Sequence, residues 1–168
     1  MPNAIITGTG FFVPPKVVKN DDLSEFMDTN DKWITERTGI KQRHYVEDGI
    51  ATSDIAIPAV EMALDRAKIN KDKIGLIIFA TSTPDYYAPG SGCLLQDKMG
   101  FSNIGALDIR VQCSGFIYGL SIAQQYIENS VFEHVLVVGA EVQSTAMDMS
   151  NSGRDTAVIF GDGAGAAV

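Results

Sequence analysis

The sequence predicts an α/β domain of three layers, with helices on both sides of a sheet. Three observations carry this. Two short runs, Ile74–Ala80 and Val135–Ala140, are apolar throughout, as strands buried on both faces are. Other segments repeat apolar residues at helical spacing. The two patterns alternate along the chain, which is the order of layered α/β folds.

The elements follow in order. Residues 3–13 read as a strand running into a glycine-containing turn, broken by Pro14 and Pro15. Asn20 or Asp21 caps a short helix with Leu23, Phe26 and Met27. Asn30 or Asp31 caps another with Trp33, Ile34 and Arg37, closed by Gly39. Residues 40–51 are polar and read as loop. Thr52-Ser53-Asp54 open a long helix to about Ile69, with Pro58 expected to kink it. The apolar strand to Ala80 comes next, then a loop over Thr81–Gly92. Cys93, Leu94, Leu95 and Met99 mark a helix ended by Gly100, with Cys93 read as core packing. Leu107, Ile109 and Val111 alternate as a strand, and Phe116, Ile117, Leu120 and Ala123 continue as a helix to about Asn129. After the 135–140 strand, Ala157–Phe160 reads as a further strand before the glycine-rich end.

The 168 residues suffice for one domain with a core. A formal net charge of -8, with no Lys/Arg run, argues against nucleic acid. The apolar runs have strand length, so no membrane span is expected. No signal peptide is evident, and two cysteines do not form a disulfide framework, so a cytoplasmic setting is expected. His44 and His134 lie far apart, without metal-ligand spacing.

Cys113 is the chemically informative residue. It sits where a strand ends and a helix begins, and unpaired N–H groups and the helix dipole there favour a thiolate. Position alone leaves two readings open, because free cysteine often packs as a small hydrophobe. Ser114 and Gly115 beside it leave room for a substrate. No base is evident: both histidines read as surface or loop residues. Phe160-Gly-Asp-Gly-Ala-Gly-Ala166 and Gly8-Thr-Gly10 lack the spacing of a phosphate loop. They read as tight turns where backbone passes close to backbone.

Four segments occur together and in order: Ile5-Ile-Thr-Gly-Thr-Gly10, Trp33-Ile-x-x-Arg37-Thr-Gly-Ile40, Cys113-Ser-Gly-Phe116 and Phe160-Gly-Asp-Gly-Ala-Gly-Ala166. In these the chain resembles, over its whole length, the β-ketoacyl-carrier-protein synthase III family of the thiolase superfamily. The resemblance implies a thiolase-like half with a mixed, mostly parallel five-stranded sheet, residues 1–168 being one N-terminal domain. It implies an acyltransferase of fatty-acid initiation. Cys113 takes an acyl group from acyl-CoA, then condenses it with malonyl-carrier protein, which loses carbon dioxide. No metal or other cofactor is implied, and acyl-CoA is a substrate. A homodimer is implied, with no nucleic-acid or membrane partner.

By the same resemblance, Trp33 stacks on the adenine of CoA, Arg37 meets its phosphates or adenine edge, and Arg154 matches a second CoA-contacting arginine. Planar indole and forked guanidinium groups suit a nucleotide. Tyr86-Tyr87-Ala88-Pro89 matches the loop that reaches toward the partner's acyl pocket in the family's dimers. A bulky aromatic usually stands where Ala88 does. A roomier pocket for a longer or branched primer is one expectation, and Tyr87 filling the same space is the other. The family's catalytic histidine and asparagine come from a second half, and neither His44 nor His134 matches. Residues 1–168 alone are therefore expected not to catalyse condensation. The alternatives are another thiolase-fold acyltransferase, making secondary metabolites, olefin precursors or hydroxymethylglutaryl-CoA, and a non-catalytic half-domain used in assembly.

Overall fold

The computed structural model describes residues 3–168. The chain forms two compact units. One comprises residues up to Phe12, Ala51–Glu141 and Gly163–Val168; the other comprises Val13–Ile50 and Val142–Asp162.

The first unit holds strands β1 (Thr9–Phe12), β4 (Leu76–Ala80), β5 (Gly105–Ile109), β6 (Val135–Glu141) and β7 (Gly163–Ala167). They form one sheet in the order β1-β7-β6-β4-β5. β4 runs parallel to both β5 and β6, while β7 is antiparallel to β6 and β1 antiparallel to β7. Four of the five strands therefore point the same way, and the expected mixed, mostly parallel sheet is what forms.

Cross-strand pairs share a face of a sheet. Phe79, Val138, Ala166 and Gly10 form one such row. Against this face lie α2 (Thr52–Ala67) and α3 (Ser91–Lys98). A Cβ on Gly10 would come 2.0 Å from the Ala59 carbonyl oxygen, and one on Gly92 would touch Phe79. α2 runs through Pro58 without ending. The other face carries Leu76, Ile78, Val135 and Val137, which form a core with Ala123, Phe116 and Leu120 of α4 (Gly115–Glu128). Cβ atoms on Gly115 and Gly119 would meet Ala80 and Val137 at 2.9 and 2.8 Å. Glycine at these sites lets α4 lie close on the sheet. The three layers expected from the alternation are thus α2 and α3, the sheet, and α4.

The second unit pairs β2 (Lys16–Lys19) with β3 (Gln42–Tyr45) in antiparallel register. It also holds α1 (Asp31–Thr38) and α5 (Arg154–Ala157). The Asn30 side chain accepts from the Trp33 N–H, and Gly39 closes α1 in the left-handed conformation, φ 73°. Val18, Leu23, Met27, Ile34, Ala157 and Val158 share its core.

Four readings need correction. β2 and β3 lie in segments too polar to read as strands; each supplies the other's hydrogen bonds, and Val18, Tyr45 and the buried Arg43 turn inward. Ala157–Phe160 is no strand: α5 ends there, and Ala157 and Val158 pack into the second core. The strand is the glycine–alanine stretch after it, whose small side chains suit a face that α2 approaches closely. Gly8-Thr-Gly10 and the glycine-rich end are close approaches, as read, but Gly10, Gly163 and Gly165 lie in strands rather than turns. Cys93 is exposed, not core. α3 buries Ser91, Gly92 and Leu95, and the helical period turns Cys93 off that face.

Candidate active site

Parallel neighbours send their C-terminal loops out at the same end of a sheet, where open α/β sheets build their sites. β4 and β5 do so here. The Thr81 N–H donates to the Ile109 carbonyl at 3.2 Å, and Arg110 Nη2 donates to the Ser82 carbonyl at 3.3 Å. The two loops are joined at their bases.

The second loop is the cysteine elbow. β5 stops at Ile109, two residues before the expected end at Val111. A 3-10 turn over Gln112–Ser114 leads into α4. Gln112 takes φ +49°, a left-handed conformation that costs a non-glycine residue energy. The Ser114 hydroxyl donates to the Val111 carbonyl at 2.9 Å and ties the turn. The result leaves Cys113 exposed, as a free thiol, at the entry to a helix. The core-packing reading of Cys113 does not hold.

The histidines are elsewhere. His44 Nδ1 is 2.6 Å from the Pro14 carbonyl oxygen within the second unit, a backbone tie. His134 precedes β6, and its carbonyl accepts from the Gly75 N–H at 3.0 Å. Because β4, β5 and β6 are parallel, His134 lies at the opposite end of the sheet from Cys113.

The first loop, between β4 and α3, carries Tyr86, Tyr87 and Ala88. Tyr87 is 100% exposed and Tyr86 63%. A cavity of about 140 Å³ is lined by Thr81, Pro84, both tyrosines, Asp108 and Arg110. Partial desolvation against the start of α3 pushes the Asp108 carboxyl up, opposed by hydrogen bonds from the Gly92 and Ser91 N–H groups. Ser82 and Thr83 bond the Glu141 carboxylate, tying the loop to β6. Asp85 escapes sequence reading because an acidic residue in a loop normally signals only a turn or solvent.

In the second unit three sequence-predicted residues come together. Arg37 Cζ lies 4.2 Å and Arg154 Cζ 4.5 Å from the centroid of the Trp33 ring, both within cation–π range. Arg154 Nη1 donates to the Asp28 carbonyl at 3.0 Å, and Arg37 Nη1 donates to the Trp33 carbonyl at 3.3 Å. The indole also packs against the second core. It is both an anchor for α1 and one side of a cationic, flat-faced surface.

Comparison with known proteins bears on this geometry. The family described as 3-Oxoacyl-[acyl-carrier-protein (ACP)] synthase III matches residues 107–168, which include Cys113 and β7. A β-ketoacyl-[acyl-carrier-protein] synthase III of Ehrlichia canis is 49% identical over 168 residues, 100% of this chain and 52% of its own length. This chain is a relative of the synthase III proteins. The synthase III of Aquifex aeolicus superposes with a TM-score of 0.92 at 42% identity, over 96% of this chain and 52% of that one. The priming β-ketosynthase of the R1128 polyketide pathway gives 0.91 at 31%, over 96% and 48%. The thiolase-like fold expected from the sequence is the fold observed. The chain spans about half the length of the synthase III relatives it matches.

Proposed function

We propose that this chain supplies the acyl-accepting part of a condensing enzyme of the synthase III type. The observation that carries the reading is an exposed cysteine on a strand–helix elbow, in a chain 49% identical over its length to a synthase III. The Cys113 thiolate adds to the thioester carbonyl of acyl-CoA. The Cys113 N–H, at the helix entry, contributes to holding the oxyanion. Collapse expels CoA as thiolate and leaves an acyl-cysteine. Malonyl-carrier protein then loses carbon dioxide. The carbanion formed attacks the acyl carbon, and Cys113 departs as thiolate. Trp33, Arg37 and Arg154 take the nucleotide end of CoA through stacking and charge.

Two surfaces support assembly. β5 is an edge strand with unpaired backbone groups and a half-exposed Leu107, which suits pairing with a second copy in a homodimer. Ile5, Ile6, Leu120, Ala123, Ile127 and Val168 line an apolar groove of about 230 Å³, which suits cover by the second half of a thiolase-like protein. Among the described residues no helix is long and apolar enough to cross a membrane.

Ala88 and the likeness to the R1128 priming synthase favour a second reading. In it the same acyl transfer starts a secondary-metabolite chain from a primer longer than acetyl. Intact-mass measurement after incubation with acyl-CoA tests both. An acyl adduct lost in Cys113→Ala is expected, and its absence with every acyl-CoA overturns the acyl-transfer reading. The chain length that reacts fastest separates the two.

A further inference from the structure

Arg43, on β3, is 5% exposed. Among the described residues its hydrogen bonds all reach neutral acceptors. Nη2 donates to Asn20 Oδ1 at 2.8 Å and to the Val158 carbonyl at 3.0 Å, and Nη1 donates to the Val18 carbonyl at 3.4 Å. Nε meets no acceptor among the described residues. Desolvation pulls its pKa below the ordinary arginine value, yet a guanidinium stays charged. A buried charge held by neutral groups alone is unfavourable. An aliphatic side chain would fill the same core without that penalty, so what the guanidinium adds is its fork.

The fork reaches both elements that frame the Trp33 indole. Asn20 is 1% exposed, and its amide is shared between Arg43 and α1. Oδ1 takes Arg43, while Nδ2 donates to Asp31 Oδ1 at 2.9 Å and to the Ile40 carbonyl at 2.7 Å. Asp31 opens α1 and Ile40 follows its Gly39 cap, so one amide grips both ends of the helix that carries Trp33 and Arg37. On the other side Val158 closes α5. Its N–H donates to the Arg154 carbonyl at 3.3 Å, and its own carbonyl accepts from Arg43. Arg43 thus binds α1 through Asn20 and α5 directly, all within the second compact unit.

We infer that Arg43 is a positioning residue for the nucleotide end of CoA: by joining Asn20 to Val158 it holds α1 and α5 at the separation that sets Arg154 against the Trp33 ring, and so gives acyl-CoA its advantage over a thioester without the nucleotide. This rests on the proposed role of Trp33 and Arg154 toward CoA.

The test uses the full protein with acetyl-CoA and acetyl-pantetheine, which share the acyl group and differ in the nucleotide. The quantity read is the ratio of their second-order rates of Cys113 acylation, followed by intact mass. Arg43→Lys keeps the charge and loses the planar fork. It is expected to lower the ratio about fivefold, the scale of one lost hydrogen bond, with the acetyl-pantetheine rate little changed. Trp33→Ala, which removes the ring itself, is expected to lower it roughly tenfold. Asn20→Ala leaves Arg43 on Val158 but releases α1. It is expected to act as Arg43→Lys does, and it gives an independent reading if Arg43→Lys does not fold. An unchanged ratio in these two variants, beside a lowered one in Trp33→Ala, overturns the inference and leaves the nucleotide site standing. Equal losses with both thioesters overturn it too, because Arg43 then serves the fold alone. If Trp33→Ala leaves the ratio unchanged, the nucleotide reading falls and takes this inference with it. If neither thioester acylates Cys113 in the unaltered protein, the acyl-transfer reading falls, and the inference with it.

Discussion

The Arg37 guanidinium carbon stands 4.2 Å from the centroid of the Trp33 indole, four residues earlier on the same helix. Residues four apart share a helix face, so the pair is built by α1 itself, and Arg154 joins it from α5 at 4.5 Å. Replacing Trp33 by Ala is expected to raise the acyl-CoA concentration that half-saturates acylation of Cys113 roughly tenfold, from about 1–2 kcal/mol of lost stacking and cation–π energy, with the saturating rate little changed. Trp33→Phe keeps packing against the second core and separates a folding defect from a binding one. Single-turnover acylation over a range of acyl-CoA concentrations with both variants checks this; an unchanged half-saturation in Trp33→Ala removes the nucleotide role.

Both cysteines are exposed, so access alone does not separate their reactivity. Cys113 lies on the 3-10 turn that leads into α4, and Cys93 lies in the first turn of α3. Selective alkylation of Cys113 over Cys93 by iodoacetamide at neutral pH is expected from the acyl-accepting role. Peptide mapping over a time course reads the two rates. Equal rates would count against Cys113 as the nucleophile.

His134 lies at the far end of the sheet from Cys113. His134→Gln is therefore expected to leave acylation of Cys113 and its pH profile unchanged, within about twofold on the scale of surface substitutions. A large loss of rate without loss of folding would contradict the parallel-strand argument.

Asp54 gives a pH prediction. Desolvation raises its carboxyl, but hydrogen bonds from the Lys98 side chain and the Ala51 N–H, with the charge of Lys98, outweigh it and hold the group below the ordinary carboxylate value. A carboxyl depressed in the folded state binds fewer protons there than in the unfolded chain. Its contribution is complete above the ordinary carboxylate value near 4. It is lost as pH falls through that value to the lower folded one. Asp54→Asn is expected to flatten this acid limb in urea melts between about pH 5 and 2. An acid limb as steep as the unaltered protein's would refute the assignment.

Gly10 tests the packing of β1 on α2. A Cβ there would lie 2.0 Å from the Ala59 carbonyl oxygen and 2.7 Å from the Ala63 nitrogen, both backbone atoms that cannot step aside. Gly10→Ala is expected to cost about 1–3 kcal/mol or more, as overpacking does. Gly39→Ala meets open space but keeps φ +73°, and costs only about 1 kcal/mol. Denaturant midpoints rank the two.

Where local pattern and tertiary demand agree, the elements were legible. Ile77 and Phe79 read as a buried strand because apolar residues on both faces admit no other layer. Asn30 and Gly39 bound α1 because caps act within a few residues. β2 and β3 were not legible, since polar strands pair for hydrogen bonds that composition does not record. The Gly163–Ala167 strand was hidden because its small residues answer to α2, a segment distant in sequence. At the site, Cys113 and the Trp33, Arg37 and Arg154 set were readable as residue types, whereas Asp85 looked like any loop acid.

By itself the sequence determined the layered fold, through apolar periodicity and capping, and singled out Cys113 by its place between a strand pattern and a helix pattern. Only the tertiary structure decided that Cys113 is exposed and Cys93 is too, that β5 stops early at a left-handed Gln112, and that two guanidinium groups meet one indole. The physical reason is range. Periodicity and capping act over a turn or a strand, while exposure, close approach and the pairing of charges depend on segments brought together only by folding.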